Sequence, residues 1–259
     1  MLKSLILFEF KNLIKAKWLF AYLAFFFLLT ESLYYFSNNS SKVFISLLNI
    51  VLIVMPLISI IYGTQHFYNS REYIQFLLAQ PIKRKYIFTS NYISSFLAIV
   101  GCFVIGTGFP LIAHEFNNEL TLAIILLISG ALLGGIFLSI GYFIANKFED
   151  KAKGLGVSLI IWFFLCFLYD GIILGVLYFF SDYPIEIPAL IMSIFNPNDL
   201  ARLFITLKLD ISALMGYTGA VYKNILGTSL GLLLSVIMML VWFVFPLYLS
   251  IRKFERKDF

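Results

Sequence analysis

Long uncharged stretches alternate with short charged clusters along this 259-residue chain. No Asp, Glu, Lys or Arg occurs between Lys42 and Arg71, Lys85 and Glu115, Glu119 and Lys147, or Lys223 and Arg252, and each gap holds 27 to 29 residues. A helix of about 20 apolar residues crosses the ~30 Å hydrocarbon core of a bilayer, so every gap is long enough to span. Two further apolar segments carry one acid each, Trp18–Phe36 with Glu31 and Gly154–Ser181 with Asp170. The runs are continuous rather than alternating, which selects helices over a β-barrel. The pattern predicts an all-α integral membrane protein, one domain over 1–259, with spans at about 18–36, 43–63, 86–113, 120–146, 155–180 and 225–251.

The segments between the spans carry their own patterns. Residues 2–15 combine Leu2, Leu5, Ile6, Phe8 and Leu13 with Lys3, Lys11 and Lys15. This predicts an amphipathic helix in the headgroup plane. The stretch Gln65–Lys85 is longer than a hairpin needs. Phe67, Tyr73, Phe76, Leu77 and Leu78 predict a short helix with an apolar face for a protein contact, ended by Pro81. The segment 182–224 begins with an apolar run, Pro188–Phe195. Asn196-Pro197-Asn198-Asp199 then reads as a helix start, with Asn as cap and Pro at the first helical position. Leu200, Leu203, Phe204 and Leu207 follow on one face, while Arg202 and Lys208 lie off it, where water or a partner can meet them. Such a segment is expected to fold back over the mouth of the spans.

Composition narrows the class. The chain is 61% hydrophobic and 13% charged, against about 25% charged in soluble domains. A soluble enzyme, a disordered chain and a secreted disulfide scaffold are excluded. Six spans put both termini on one side. Fifteen of the nineteen Lys and Arg residues fall on that side, leaving Lys42, Arg202, Lys208 and Lys223 on the other. The positive-inside rule then predicts cytoplasmic termini in a bacterial inner membrane. Trp18 and Tyr86 fit as interfacial anchors, and Phe148–Lys153 reads as a plain turn or a second, minor contact.

Candidate chemistry is sparse. Asp170 lies within span five, where an acid costs about 2.5–3.5 kcal/mol at the bilayer centre. It must therefore face a partner, either structurally among Tyr, Ser or Asn neighbours or in an interface, cation or proton-linked role. Gly130 and Gly134 have the small-xxx-small spacing of close helix packing. Cys102 and Cys166 lack paired spacing, His66 and His114 fall on opposite sides, and Met192 and Met215 are isolated, so no metal site is expected. The P-loop pattern GxxxxGK[ST] is absent, so ATP hydrolysis of that kind must come from another chain. HExxH is also absent, and nothing suggests a nucleic-acid partner.

Together these features resemble the membrane subunit of ABC-2 type transporters, which have a type V exporter-like fold. The corresponding parts are an N-terminal interfacial helix at Leu2–Lys15, a coupling helix at Gln65–Gln80, and a re-entrant segment at Pro188–Asn224. Within that family the chain resembles the NosY group. The matching residues are Asp150-Lys151-Ala152 with Gly154–Ile173, FNPNDLARLFITL at 195–207, Ser212–Gly216, and Trp242–Lys253. Where that group commonly has Glu-Glu-x-x-x-Gly-Thr-Leu, this chain has Ser70-Arg71-Glu72-Tyr73-Ile74-Gln75-Phe76-Leu77, with one acid. The resemblance implies a homodimer in membrane lipid, a cytoplasmic NosF-type ATPase that holds ATP and Mg, and a periplasmic NosD-type subunit. It also implies a role in copper-site maturation of nitrous-oxide reductase. On the same basis Arg71, Glu72, Tyr73, Phe76 and Leu77 would contact the ATPase. Asn196, Pro197, Asp199, Arg202 and Phe204 would form the external docking segment.

Overall fold

The computed structural model describes residues 2–37, 39–115, 120–180, 186–209 and 216–257. It includes their side chains except at 115, 186, 187, 189, 207–209 and 216–229. The described residues form helices and short connections, with no strand among them. In chain order the helices are α1 (Leu2–Ile14), α2 (Lys17–Phe36), α3 (Ser40–Asn69), α4 (Arg71–Leu78), α5 (Arg84–Glu115) and α6 (Leu120–Lys147). There follow α7 (Lys151–Phe163), a π-helical turn (Phe164–Leu168), α8 (Tyr169–Phe179), α9 (Glu186–Ile194), α10 (Pro197–Leu209) and α11 (Gly216–Arg256). Among the described residues, six stretches are long and apolar enough to cross a membrane: α2, α3, α5, α6, the run Lys151–Phe179, and Leu230–Arg256 within α11.

Most of these helices extend past the limits expected from sequence. Span two was expected to stop near residue 63, yet α3 continues to Asn69. Gln65 and His66 do not break it, because Phe67 and Tyr68 are buried beside them and hold the last turns. The final helix starts at Gly216, so 216–224 belongs to α11 and not to the preceding segment. Residues 210–215, with Met215, lie outside the described residues, as do the side chains of Leu207 and Lys208.

Helix α6 forms the centre. It packs on α3, α5, α7, α10 and α11. Gly141 permits a close approach of backbones, since a Cβ there would lie 2.6 Å from the Ile60 carbonyl oxygen of α3. Gly130 and Gly134 face Phe103 and Met55 in the same way, as the small-residue spacing suggests. Several polar groups inside the bundle are paired across helices, which offsets the cost of placing them in hydrocarbon, while the Ser59 and Thr107 hydroxyls have no partner among the described residues. The Thr64 and Ser158 hydroxyls lie 2.7 Å apart and join α3 to α7. Tyr142 donates to Asn91 Oδ1 at 2.7 Å, and Tyr92 lies 2.8 Å from the Ser139 hydroxyl.

The last turns of α11 meet the start of α5 and the end of α6 at one end of the bundle. Arg84 donates to the carbonyls of Glu255 and Lys257, and Lys257 Nζ donates to the Asn146 carbonyl. Helix α1 packs on α5, where Ser94 donates to the Ile6 carbonyl at 3.1 Å. Leu7, Phe8 and Ile14 remain exposed on α1. This end is termed the basic end, and the end carrying α9 and α10 the far end.

Candidate functional site

At the basic end, α4 follows α3 after a single hinge residue, Ser70. The apolar face expected to meet a partner is used mostly within the chain. Ile74 and Leu77 are buried, and Tyr73 is half-buried and stacked on Phe8 of α1 at 6.2 Å. Leu77 therefore supports α4 from beneath instead of presenting a surface. Phe76 is 64% exposed, and Glu72 is exposed four residues before it. At i,i+4 spacing these two form one outward stripe.

Arg71 also departs from expectation, because it faces the chain itself. Its guanidinium donates to the Glu149 carbonyl at 2.8 Å and the Phe148 carbonyl at 3.1 Å, and lies 4.5 Å from the centre of the Tyr68 ring. Tyr68 donates to the Phe148 carbonyl at 2.8 Å, and Lys151 donates to Asn69 Oδ1 at 2.9 Å. Asp150 caps α7 by accepting from the backbone N–H groups of Ala152 and Lys153. Gly154 completes the joint, since a Cβ there would collide with the Tyr68 hydroxyl. The turn between α6 and α7 is thus fastened to the α3–α4 hinge, and three spans share one rigid corner.

Glu9 adds a buried acid to this end. It is 7% exposed on α1 and accepts from the Ser90 hydroxyl at 3.5 Å, while its Oε2 has no protein partner. Burial pushes the carboxyl up to about 8, against opposing hydrogen bonds from Ser90 and Asn91.

At the far end the structure joins residues that the sequence had placed in separate roles. The π-helical turn Phe164–Leu168 interrupts the regular bonding of span five, and the Leu165 carbonyl accepts from Asn196 Nδ2 at 3.1 Å. Asp170 lies just beyond that turn. Its Oδ2 accepts from Arg202 at 3.1 Å, and its Oδ1 lies 3.5 Å from Asn196 Nδ2. Arg202 also reaches Asp199 at 3.4 Å. Arg202 was expected to face water or a partner; it instead answers the charge of Asp170, with 38% of its side chain exposed. Asp199 is nearly buried, and its carboxyl is pushed up to about 7, first by burial and then by Asp170, with Arg202 pulling the other way.

Asn196 acts as predicted for a cap, with its side chain accepting from the Asn198 N–H at 3.1 Å. Leu200, Leu203 and Phe204 are buried, so the stripe read from sequence packs inward. Phe204 is thereby part of the fold and not of an outer surface. Elsewhere at this end Glu31 pairs with His114 at 3.2 Å, and the imidazole stacks on Tyr34.

This geometry combines six spans, a hinged helix fastened to a second loop, and a helical segment folded back on the far end. Residues 4–207 match the model of a family described as "ABC-2 family transporter protein". The chain belongs to the ABC-2 family of transporter proteins. It is also similar to two proteins described as "Probable ABC transporter permease protein NosY". That of Stutzerimonas stutzeri is 25% identical over 225 residues, covering 82% of this chain and 79% of the relative. That of Pseudomonas aeruginosa strain PAO1 is 27% identical over 182 residues, covering 66% of each. The chain is an ABC transporter permease subunit and a multi-pass membrane protein. Its family implies an ATPase partner.

One spacing used by serine hydrolases does occur, Gly227-Thr228-Ser229-Leu230-Gly231. Its chemistry needs a sharp strand-to-helix turn that lifts the serine out. These five residues lie inside the uninterrupted α11, so the spacing is coincidental. No group of three or more His, Cys, Asp or Glu placed to hold a metal occurs among the described residues. Cys166 accepts from Asn198 Nδ2 at 3.0 Å, and Met192 presents its carbonyl to the Tyr169 hydroxyl at 2.7 Å.

Sequence reasoning missed Tyr68, Gly154 and Glu9. The loop at Phe148–Lys153 was legible as a turn, but no local signal ties it to Tyr68. Glu9 sits among Lys residues in an amphipathic pattern, which reads as a solvated face until α5 covers it.

Proposed function

We propose that this permease is the membrane subunit of a NosDFY-type transporter, and that the basic end faces the cytoplasm of a bacterial inner membrane. A NosF-type ATPase, holding ATP and Mg, docks on the Phe76–Glu72 stripe of α4. Closure of two ATPase chains displaces α4. Because Arg71 and Tyr68 bind α4 and α3 to the Phe148–Asp150 turn, the displacement is delivered to α3, α6 and α7 together. At the far end α10 moves with α6 and α11, on which it packs. There the motion is passed to a periplasmic NosD-type subunit or its cargo, in support of copper-site assembly in nitrous-oxide reductase. Two copies of the permease, one for each ATPase chain, complete the assembly.

The observation that carries this reading is the fastened corner at Arg71, which joins the one outward-facing piece of α4 to three spans. Similarity to the two NosY relatives supplies the assignment to that transporter. The test is complementation of a denitrifying host that lacks its own NosY. Expression of this chain should restore the visible absorption of copper-loaded nitrous-oxide reductase. An ATPase that copurifies with the chain while the reductase stays copper-free would retain the permease and reject the NosDFY role.

A further inference from the structure

The last turns of α11 and the end of α6 enclose a cleft of about 580 Å³ at the basic end. Lys147, Arg252, Lys253, Arg256 and Lys257 line it, with Glu149 the one carboxylate among the described lining residues. Lys257 is held below the ordinary lysine range by burial and by the charges of Arg71 and Lys253, with Glu149 opposing. An anion in the cleft relieves that repulsion.

The same helix carries a second concavity earlier along its length. Val241, Val244, Phe245 and Tyr248 line an apolar groove of about 480 Å³, and all four are exposed. Tyr248, Arg252 and Arg256 follow one another at four-residue spacing. They therefore lie on one stripe of α11, with Arg252 about 12 Å along the axis from Val244. A cationic cleft and an apolar track thus follow one another along α11, with Tyr248 of the track one helical turn before Arg252 of the cleft.

We propose that this stripe binds an anionic phospholipid of the leaflet at the basic end, with its phosphate among Arg252, Arg256, Lys147 and Lys253 and one acyl chain along Val241–Tyr248. Basic pockets between spans suit anionic headgroups. A soluble acidic protein would meet the cations but could not fill a groove at hydrocarbon depth. The function proposed above enters only in naming the leaflet as cytoplasmic. The bound lipid lies beside the fastened corner, because Lys257 also donates to the Asn146 carbonyl and Arg71 to that of Glu149.

The experiment uses the full-length permease in a neutral detergent. Thermal unfolding is followed with added phosphatidylglycerol, phosphatidylcholine or inorganic phosphate, and retained lipid is read by native mass spectrometry. Phosphatidylglycerol should raise the melting temperature and stay bound, with at least tenfold preference over phosphatidylcholine. Inorganic phosphate should give little shift. The double variant Arg252→Gln/Arg256→Gln should melt as the parent does without lipid and lose the preference, whereas Arg252→Lys/Arg256→Lys should keep it. Equal response to both lipids, a full response to phosphate alone, or undiminished preference in the Gln variant would overturn the proposal. So would loss of ATPase copurification in the Gln variant with its lipid preference intact, since that outcome assigns the cations to a protein contact.

Discussion

Glu9 is an acid held where its charge is poorly solvated. Its folded-state pKa is about 8, above the ordinary value of 4.5, so the folded protein favours the protonated form. The sign follows from linkage. Below about 4.5 the group is neutral in both states and costs nothing. As pH rises from there to 8 the unfolded chain releases its proton first, and stability is lost. Glu9→Gln should remove this slope, with at most about 5 kcal/mol at stake from the size of the shift. Melting curves in detergent between pH 5 and 9 should therefore be flatter for the variant, and a parallel pair of curves would count against it. Arg202 makes the opposite kind of prediction. Its pairing with Asp170 and Asp199 leaves two carboxylates close together once it is removed. Arg202→Ala should lower stability by roughly 1–2 kcal/mol, a value reduced from that of a fully buried pair because about a third of the side chain meets solvent. Asp170→Asn added to Arg202→Ala should recover part of the loss, which a double-mutant cycle measures.

Among the elements, α4 separates two adjacent aromatic and aliphatic side chains by role. Phe76→Asp should leave the melting temperature unchanged and abolish copurification of the ATPase, because Phe76 is 64% exposed. Leu77→Asp should destabilise the permease by several kcal/mol, as a charge loses its solvation at a 5% exposed site. Equal effects of the two changes would contradict the orientation of the helix. The existence of α4 was legible from its apolar residues and Pro81, yet which of them face outward was not. That choice is made by α1 and α5, which cover Tyr73, Ile74 and Leu77 through contacts far apart in sequence. The spans were legible because charge is excluded from hydrocarbon and its gaps are unmistakable. The partner of Asp170 was not legible. Asn196 and Arg202 were both recognised as polar members of a capped helix, but only the fold of the chain back through α9 brings them to span five.

At the scale of the whole molecule, the buried sides of the spans are unequal. α6 is covered on most of its surface, whereas the run Lys151–Phe179 is the least buried of the six spans. Ile160, Phe163, Phe167, Leu174 and Tyr178 stand exposed along it. A second copy covering this run, in keeping with the proposed dimer, would also shield the solvent-facing edge of Asp170. Native mass measurement of the complex should find two permease chains, and Phe163→Arg should reduce the assembly to one. A single chain in the parent complex would reject the dimer.

The pairing of Asp170 with Arg202 also sets an order of events during synthesis. The arginine leaves the ribosome 32 residues after the acid it neutralises. Span five must therefore enter the membrane with a bare carboxyl group, protonated or drawn toward the water.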